Sequence, residues 1–297
     1  MAYLGETNSK KTSIALAMTQ FMRQKNTDMN SPQISFESTK GGIECSFSVN
    51  PDAVLIIDDF RPANDKNEEQ NLRQKLELVT RTYGDQNSIK RMPHYSGIKV
   101  DNKPVNTCLI TGEIVAGGNT SSMARIINIM TDRTQCNDEV LSFYQQNPWI
   151  LSTYMYDFIT YITNSREIIE YIKQRLLQLR NESKNTFRLP RNCDAFCIMH
   201  ITIEIMFMYA YERGFINAQQ KISYINEYSA IIVEVIKDND YEIIESRPQC
   251  EVVKAIKKAI SDSDLVVFDL SLERVKQNHE AKAIHNKYIG YKSDTYL

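Results

Sequence analysis

The feature that most constrains the fold is an octapeptide near the start of the chain. Residues 5–12 read Gly-Glu-Thr-Asn-Ser-Lys-Lys-Thr, and they lie between a short apolar segment and an apolar helical pattern. They match the phosphate-binding loop G-x-x-x-x-G-K-[ST] at every fixed position except residue 10, where a lysine replaces the second glycine. In such a loop, successive backbone N–H groups surround a phosphate at the positive end of a helix. The octapeptide therefore predicts a strand, a phosphate-binding loop and a helix, in that order.

The side chains of this loop have predicted roles in binding a nucleoside triphosphate. Lys11 is expected to reach the β- and γ-phosphates, and the Thr12 hydroxyl is expected to bind Mg²⁺. If residue 10 must take a positive φ, a lysine there costs about 1 kcal/mol relative to glycine. The alternative is a lysine-rich turn that only happens to precede a helix. The predicted nucleotide-binding residues are Gly5, Glu6, Thr7, Asn8, Ser9, Lys10, Lys11 and Thr12.

A second element combines an apolar strand with two acids. The run Val54-Leu-Ile-Ile leads directly into Asp58 and Asp59. A nearly continuous apolar run suits a strand that is covered on both faces, as in a parallel sheet. Carboxylates at the tip of such a strand are how a Walker B element holds Mg²⁺ and polarises the attacking water. We predict that Asp58 associates with the metal and that Asp59 activates water. The reverse assignment and a solvent-facing acidic turn are the alternatives.

Two further segments carry polar residues near predicted strands. Leu109-Ile-Thr-Gly-Glu113 is a strand whose Thr111 or Glu113 is expected to lie near the γ-phosphate, unless it is simply a strand followed by a turn. Arg125 follows a polar, glycine-containing loop and begins the next apolar run. An arginine there can stabilise transition-state charge in its own subunit or in a neighbouring one. An ordinary surface arginine is the alternative.

Composition limits how this chain can meet nucleic acid or a membrane. Thirty-five basic residues against 37 acidic ones give a net charge of −2, so nucleic-acid binding needs a local basic patch. The long polar loop 83–104 is the candidate, unless it is an ordinary solvated loop, and its basic residues are Lys90, Arg91, Lys99 and Lys103. The apolar runs fall short of the roughly 20 residues of a membrane span, and the start lacks a secretory pattern. These observations predict a cytoplasmic protein that does not contact a membrane.

The order of these motifs resembles the helicase-like ATPase domain of phage and mobile-element replication proteins, which are primase-helicases related to AAA+ and superfamily 3 helicases. The resemblance covers residues 2–131 and rests on GETNSKKT, FEST, VLIIDDFRP, ITGE and the segment Ser121-x-x-Ala-Arg125. It implies ATP and Mg²⁺ as cofactors, single-stranded or forked DNA as a partner, and a homo-oligomeric ring with an arginine supplied in trans. The residues that match the family's motifs are Gly5, Lys11 and Thr12 in the loop, Asp58 and Asp59, Glu113 as the acid of T-G-E, and Arg125.

The predicted fold class is α/β. We expect a P-loop ATPase domain with a mostly parallel, AAA+-like sheet flanked by helices at 1–135, and a helical lid or assembly domain at 136–240. A small module at 241–297 reads as helix, strand, helix and hairpin, resembles a winged helix and ends within the hairpin, as a truncated frame would. The predicted function is an ATP-hydrolysing helicase-type motor. The alternatives are a non-catalytic module with a degenerate loop and a small-molecule kinase.

Overall fold

The computed structural model describes residues 1–6, 8–22, 33–86, 103–113, 120–245, 247–261, 266–269 and 288–292 of the 297-residue chain. The chain divides into two compact units, Met1–Ile243 and Ile244–Leu297. The strands are β1 Ala2–Leu4, β2 Gln33–Ser35, β3 Val54–Phe60, β4 Thr107–Gly112, β5 Asn128–Met130, β6 Val266–Asp269 and β7 Tyr288–Lys292. The helices are α1 Lys11–Thr19, α2 Lys40–Ser46, α3 Lys66–Asp85, α4 Thr120–Met123, α5 Asp138–Gln146, α6 Pro148–Thr163, α7 Arg166–Ser183, α8 Pro190–Glu212, α9 Ala218–Glu245 and α10 Pro248–Ser261.

Five strands form one parallel sheet in the order β2-β3-β4-β1-β5. The prediction of a mostly parallel α/β sheet flanked by helices is therefore confirmed. Because all five strands run in the same direction, their C-terminal ends share one edge, here called the carboxyl edge, and their N-terminal ends share the opposite amino edge. In open parallel sheets, ligands bind outside the carboxyl ends of the strands.

The side chains of β3 explain why its sequence is apolar without interruption. Leu55 and Ile57 pack in the main core together with Leu76 of α3. Ile56, which points to the opposite face, packs against Ala15 of α1. Successive side chains of a strand alternate between its two faces, so a strand covered by helices on both sides must be apolar at every position.

A second core lies among helices α6, α7, α8 and α9. Its buried residues include Phe158, Cys197, Ile201, Tyr209 and Ile236. The aromatic rings of this core contact one another, and the edge of Tyr209 meets Phe158 with 5.6 Å between ring centroids. This packing accounts for the long helical patterns that follow the sheet in the sequence.

Helix α8 is long and apolar enough to cross a membrane by length and composition, and core helices of soluble proteins pass the same test. The sequence predicts that every apolar run is too short to span a membrane. Helix α8 reaches that length because its apolar residues continue on both sides of Glu204. That carboxylate is buried and accepts hydrogen bonds from Arg175 (3.1 Å) and from the Tyr171 hydroxyl (3.2 Å), and His200 Nε2 lies 3.1 Å away. Burial raises the pKa of Glu204, but the bonds from His200 and Arg175 outweigh it and hold the pKa below its usual value.

Residues of the smaller unit form helix α10 and the two strands β6 and β7. Strands β6 and β7 pair in parallel, with Val266 opposite Tyr288. The helix predicted between them and the second half of the predicted hairpin lie outside the described residues.

Asn239 of α9 closes the outer edge of the sheet at β5. Its Oδ1 accepts the backbone N–H of Asn128 (2.8 Å), and its Nδ2 donates to the Asn128 carbonyl (2.9 Å). The edge of a sheet presents unpaired backbone groups, and a buried one needs a partner. The side-chain amide of Asn239 provides that partner and fixes α9 to the sheet.

We expect Asn239→Ala to lower the free energy of unfolding by about 1–3 kcal/mol, because it leaves a buried backbone N–H and C=O of β5 without partners. Urea denaturation followed by circular dichroism measures this. Asn185→Ala, in the exposed turn after α7, is the matched control and should change the free energy by no more than about 0.5 kcal/mol. Equal effects of the two substitutions would contradict the role given to Asn239.

Candidate nucleotide-binding site

The carboxyl edge brings the loop after β1 together with the ends of β3 and β4. The Thr12 hydroxyl donates to Asp58 Oδ1 (3.1 Å), and the buried Thr111 hydroxyl donates to the same oxygen. The backbone N–H of Asp59 also donates to it (2.9 Å), while the Gln33 side chain donates to Asp58 Oδ2 (2.8 Å). Asp58 is therefore a carboxylate that joins the start of α1 to two neighbouring strands. The structure places Thr12 and Asp58, the two predicted metal ligands, within hydrogen-bond distance of each other.

The loop between β1 and α1 contains two residues in the left-handed backbone region. Asn8 has φ 70° and Lys10 has φ 62°, so residue 10 does take the positive φ on which the expected cost of a lysine depends. Asparagine tolerates this region well, whereas lysine gives up about 1 kcal/mol relative to glycine there. The Lys10 ammonium forms an ion pair with Asp138, the first residue of α5.

Lys11 lies over the loop that precedes it. Its Nζ donates to the carbonyl oxygens of Gly5 and Glu6 (2.7 Å each) and to Ser9 Oγ (3.2 Å). Ser9 is buried, and its Oγ lies 3.4 Å from the hydroxyl of Thr131, which follows β5. These contacts hold the Lys11 ammonium beside residues 5–9 of the loop.

The start of α1 differs electrostatically from the start of α3. In the part of the chain that the structure describes, no side chain caps this end and its first turn holds no acid. By contrast, Asp65 caps α3, whose first turn contains Glu68 and Glu69. Unbonded N–H groups and the helix dipole make an N-terminus attractive to anions. The uncapped end of α1, next to Lys11, is therefore suited to hold a phosphate group.

The remaining predicted acids lie at the same edge of the sheet. Asp59 has φ 67° at a point where the register of β3 against β4 shifts, and its half-exposed carboxylate lies 3.8 Å from Arg61 Nε. The backbone N–H of Glu113 donates to the Phe60 carbonyl (2.9 Å). Gly112 is required there, because a Cβ at this position would come within 3.0 Å of the Phe60 carbonyl oxygen. Both acids thus flank the end of β3, with Asp59 turned toward Arg61.

Arg125 lies at the amino edge, on the side of the sheet opposite the loop. Its guanidinium donates to Asp85 at the end of α3 (2.8 Å) and to Ser121 Oγ (2.9 Å), and it packs against Gly84. The hydrogen bond from Arg125 holds the pKa of Asp85 below its usual value, and the charge of Arg191 lowers it further. The structure does not bring Arg125 to the phosphate loop of its own chain.

The predicted DNA-contacting residues are only partly described. Lys103 is exposed and lies shortly before β4, at the amino edge. Lys90, Arg91 and Lys99 lie outside the described residues, as does Thr7 of the loop. Their predicted roles stay predictions.

Sequence reasoning missed three side chains of the site, Gln33, Thr131 and Asp138. Thr131 directly follows β5, so the rule that strand ends carry the site could have found it. Gln33 begins its strand, and only its long side chain brings it to Asp58. Asp138 lies far along the chain from Lys10, and nothing in the sequence pairs them.

Comparison with known proteins supports the fold. No family model matches the sequence, and no curated protein matches it. Thirteen chains of solved structures match. One of them is described as "SCCmec type IV Cch - active helicase", with a TM-score of 0.54 and 12% sequence identity. The match covers 94% of this chain and 48% of that one, so this chain spans about half the length of the helicase. At this identity the likeness concerns the fold alone.

We expect Gly5→Ala to lower the free energy of unfolding by about 1–3 kcal/mol. A Cβ on Gly5 would lie within 3.0 Å of the Thr131 carbonyl oxygen, so the loop or β5 must move. Gly41→Ala is the matched control, because nothing lies within 4 Å of a Cβ at this position of α2. Alanine should stabilise that helix by up to about 1 kcal/mol. Thermal denaturation of the two variants checks the difference in sign.

Proposed function

We propose that the Met1–Ile243 unit is an ATP-binding and ATP-hydrolysing motor of helicase type, acting in the cytoplasm on DNA during replication of a phage or mobile element. The observation that carries this proposal is the shared oxygen of Asp58. The hydroxyls of Thr12 and Thr111 both donate to Asp58 Oδ1, beside the loop over which Lys11 is held. A phosphate loop, an acidic strand tip and a polar neighbouring strand meet at one point, as nucleotide hydrolysis requires.

The residues at this point fit ATP and Mg²⁺. The Thr12 hydroxyl and the Asp58 carboxylate are the oxygen ligands that Mg²⁺ prefers. The Lys11 ammonium and the N–H groups at the start of α1 would bind the phosphates. When bound, Mg²⁺ neutralises charge that develops on the phosphates. Asp59, near the end of β3, or Glu113, which follows β4, would orient the attacking water.

The helicase-type assignment draws on the fold likeness to the SCCmec helicase and on the motif resemblance. DNA, single-stranded or forked, is the proposed partner, and a ring of identical chains is the proposed assembly. Arg125 is the arginine proposed to act in trans. It lies at the amino edge, where its guanidinium is bonded to Asp85 and Ser121, so it would have to leave these partners to reach the phosphate of a neighbouring chain. An arginine supplied in trans raises the rate by roughly 10³ to 10⁵ in related enzymes.

One observation favours a second candidate, a non-catalytic module. Lys10 occupies a left-handed position that suits glycine, and Lys11 is bonded to the carbonyls of its own loop. A loop of this kind would bind nucleotide weakly. The two candidates differ in nucleotide binding and turnover, which the following experiments measure.

We expect Lys11→Ala to weaken binding of a fluorescent ATP analogue with Mg²⁺ by about 10- to 100-fold. Loss of a charged hydrogen-bond donor is worth about 1.5–3 kcal/mol, which corresponds to that factor. Lys66→Ala, at the exposed start of α3, removes the same charge elsewhere and should leave the dissociation constant unchanged. A folded wild-type chain that binds no nucleotide would support the non-catalytic module instead.

ATP turnover, measured with and without single-stranded DNA, tests the acids. Asp58→Asn should reduce turnover by about 100-fold or more, because it removes the carboxylate charge that would face Mg²⁺. Asp52→Asn, at the opposite end of β3, is the matched control. If hydrolysis survives both Asp58→Asn and Asp59→Asn, the assignment of the metal site is wrong. Turnover that DNA does not stimulate would favour the small-molecule kinase.

A further inference from the structure

The segment 131–138, which follows β5, holds the phosphate loop at two places. The Thr131 hydroxyl donates to the Leu4 carbonyl (2.9 Å) and lies 3.4 Å from Ser9 Oγ. Asp138, seven residues further on, pairs with the Lys10 ammonium. The loop is therefore attached to the start of α5 as well as to the sheet.

Lys10 occupies the position that controls how the loop enters α1. Its backbone is left-handed, with φ 62° and ψ 18°. Its carbonyl accepts the N–H of Ile14 (2.9 Å), which is the first hydrogen bond of helix α1. A lysine in this conformation is strained, whereas a glycine is not. A contact from outside the loop that holds Lys10 in this conformation would offset part of that cost of about 1 kcal/mol.

Asp138 lies at the start of a capped helix, from which its carboxylate can hold the Lys10 side chain in place. The Asn137 side chain caps α5 by accepting the N–H groups of Glu139 (3.0 Å) and Val140 (3.1 Å). Asp138 is thus the first residue of a capped helix, and the dipole of that helix favours a carboxylate there. The Lys10 side chain is 25% exposed and the Asp138 side chain 66% exposed where they meet, so the pair is open to solvent on the Asp138 side.

We propose that Lys10 is a positioning residue. Its ion pair with Asp138 holds residue 10 in the left-handed conformation, which glycine would adopt unaided, and so makes nucleotide binding by the loop depend on α5. The negative charge of Asp138 also offsets the positive charge of the Lys10 ammonium, which leaves Lys11 as the lysine that binds phosphate. This inference rests on the proposed function, because the loop is taken to bind a nucleotide.

A two-residue mutant cycle tests the proposal, with Asp138→Asn, Lys10→Gly and both together. The probe is a fluorescent ADP analogue with Mg²⁺. We expect Asp138→Asn to weaken binding about two- to fivefold in the chain that keeps Lys10, the range of an exposed ion pair. In the Lys10→Gly chain, Asp138→Asn should have no effect on binding relative to Lys10→Gly alone, because no ammonium is present for Asp138 to pair with. Near 1 M salt, where screening acts within about 3 Å, the effect of Asp138→Asn should shrink.

Glu139→Gln is the matched control, because it removes a charge from the same first turn of α5. It should leave binding within the error of the wild type. The proposal would be overturned if Asp138→Asn had the same effect in the Lys10→Gly chain as in the chain that keeps Lys10. An effect of Glu139→Gln as large as that of Asp138→Asn would also overturn it.

Amide hydrogen exchange of residues 8–14, measured without nucleotide, separates this proposal from the proposed function. Asp138→Asn should speed exchange there in the chain that keeps Lys10 and not in the Lys10→Gly chain. If that pattern appears while the wild type binds no nucleotide, the positioning role stands and the proposed function fails. If nucleotide binds and is lost in Lys11→Ala, but Asp138→Asn changes neither exchange nor affinity, the proposed function stands and this proposal fails.

Discussion

The carboxylate of Asp58 is the interaction on which the rest of the site depends. It is delivered by β3, which is buried on both faces, and it accepts hydrogen bonds from the loop that starts α1 and from β4. Both oxygens of this carboxylate accept hydrogen bonds, Oδ1 from Thr12, Thr111 and the Asp59 backbone and Oδ2 from Gln33. Because Asp58 of β3 is bonded to Gln33 of β2, to Thr111 of β4 and to Thr12 at the start of α1, the position of the loop between β1 and α1 is set by the sheet as well as by the loop itself.

The two edges of the parallel sheet carry different functional side chains. The carboxyl edge carries the loop, Asp58 and Thr111, with Lys11 as its fixed cation. The amino edge carries Arg125, held by Asp85. Parallel strands separate these groups by the length of the sheet, so no small movement of side chains brings Arg125 to the loop of the same chain.

The helical region contributes to the site through contacts with the sheet and with α1. Asn239 pairs with the backbone of β5, and Phe21, just after α1, meets Tyr154 of α6 with 6.5 Å between ring centroids. Together with the ion pair of Lys10 and Asp138, these contacts surround α1 and β5, the two elements beside the phosphate loop. Within the Met1–Ile243 unit, the helices therefore support the loop as well as forming their own core.

The sequence by itself determined the alternation of strands and helices, the parallel sheet and the meeting of the loop with Asp58. These features follow from local patterns, because an apolar run, a glycine and a terminal carboxylate act within a few residues of one another. Helix α2 escaped prediction, since Gly41 and Gly42 weaken its helical pattern. The partners of Lys10 and Asp58, namely Asp138 and Gln33, were decided by tertiary structure alone. They are brought together by strand order and helix packing, and residues distant along the chain leave no local pattern that could show it.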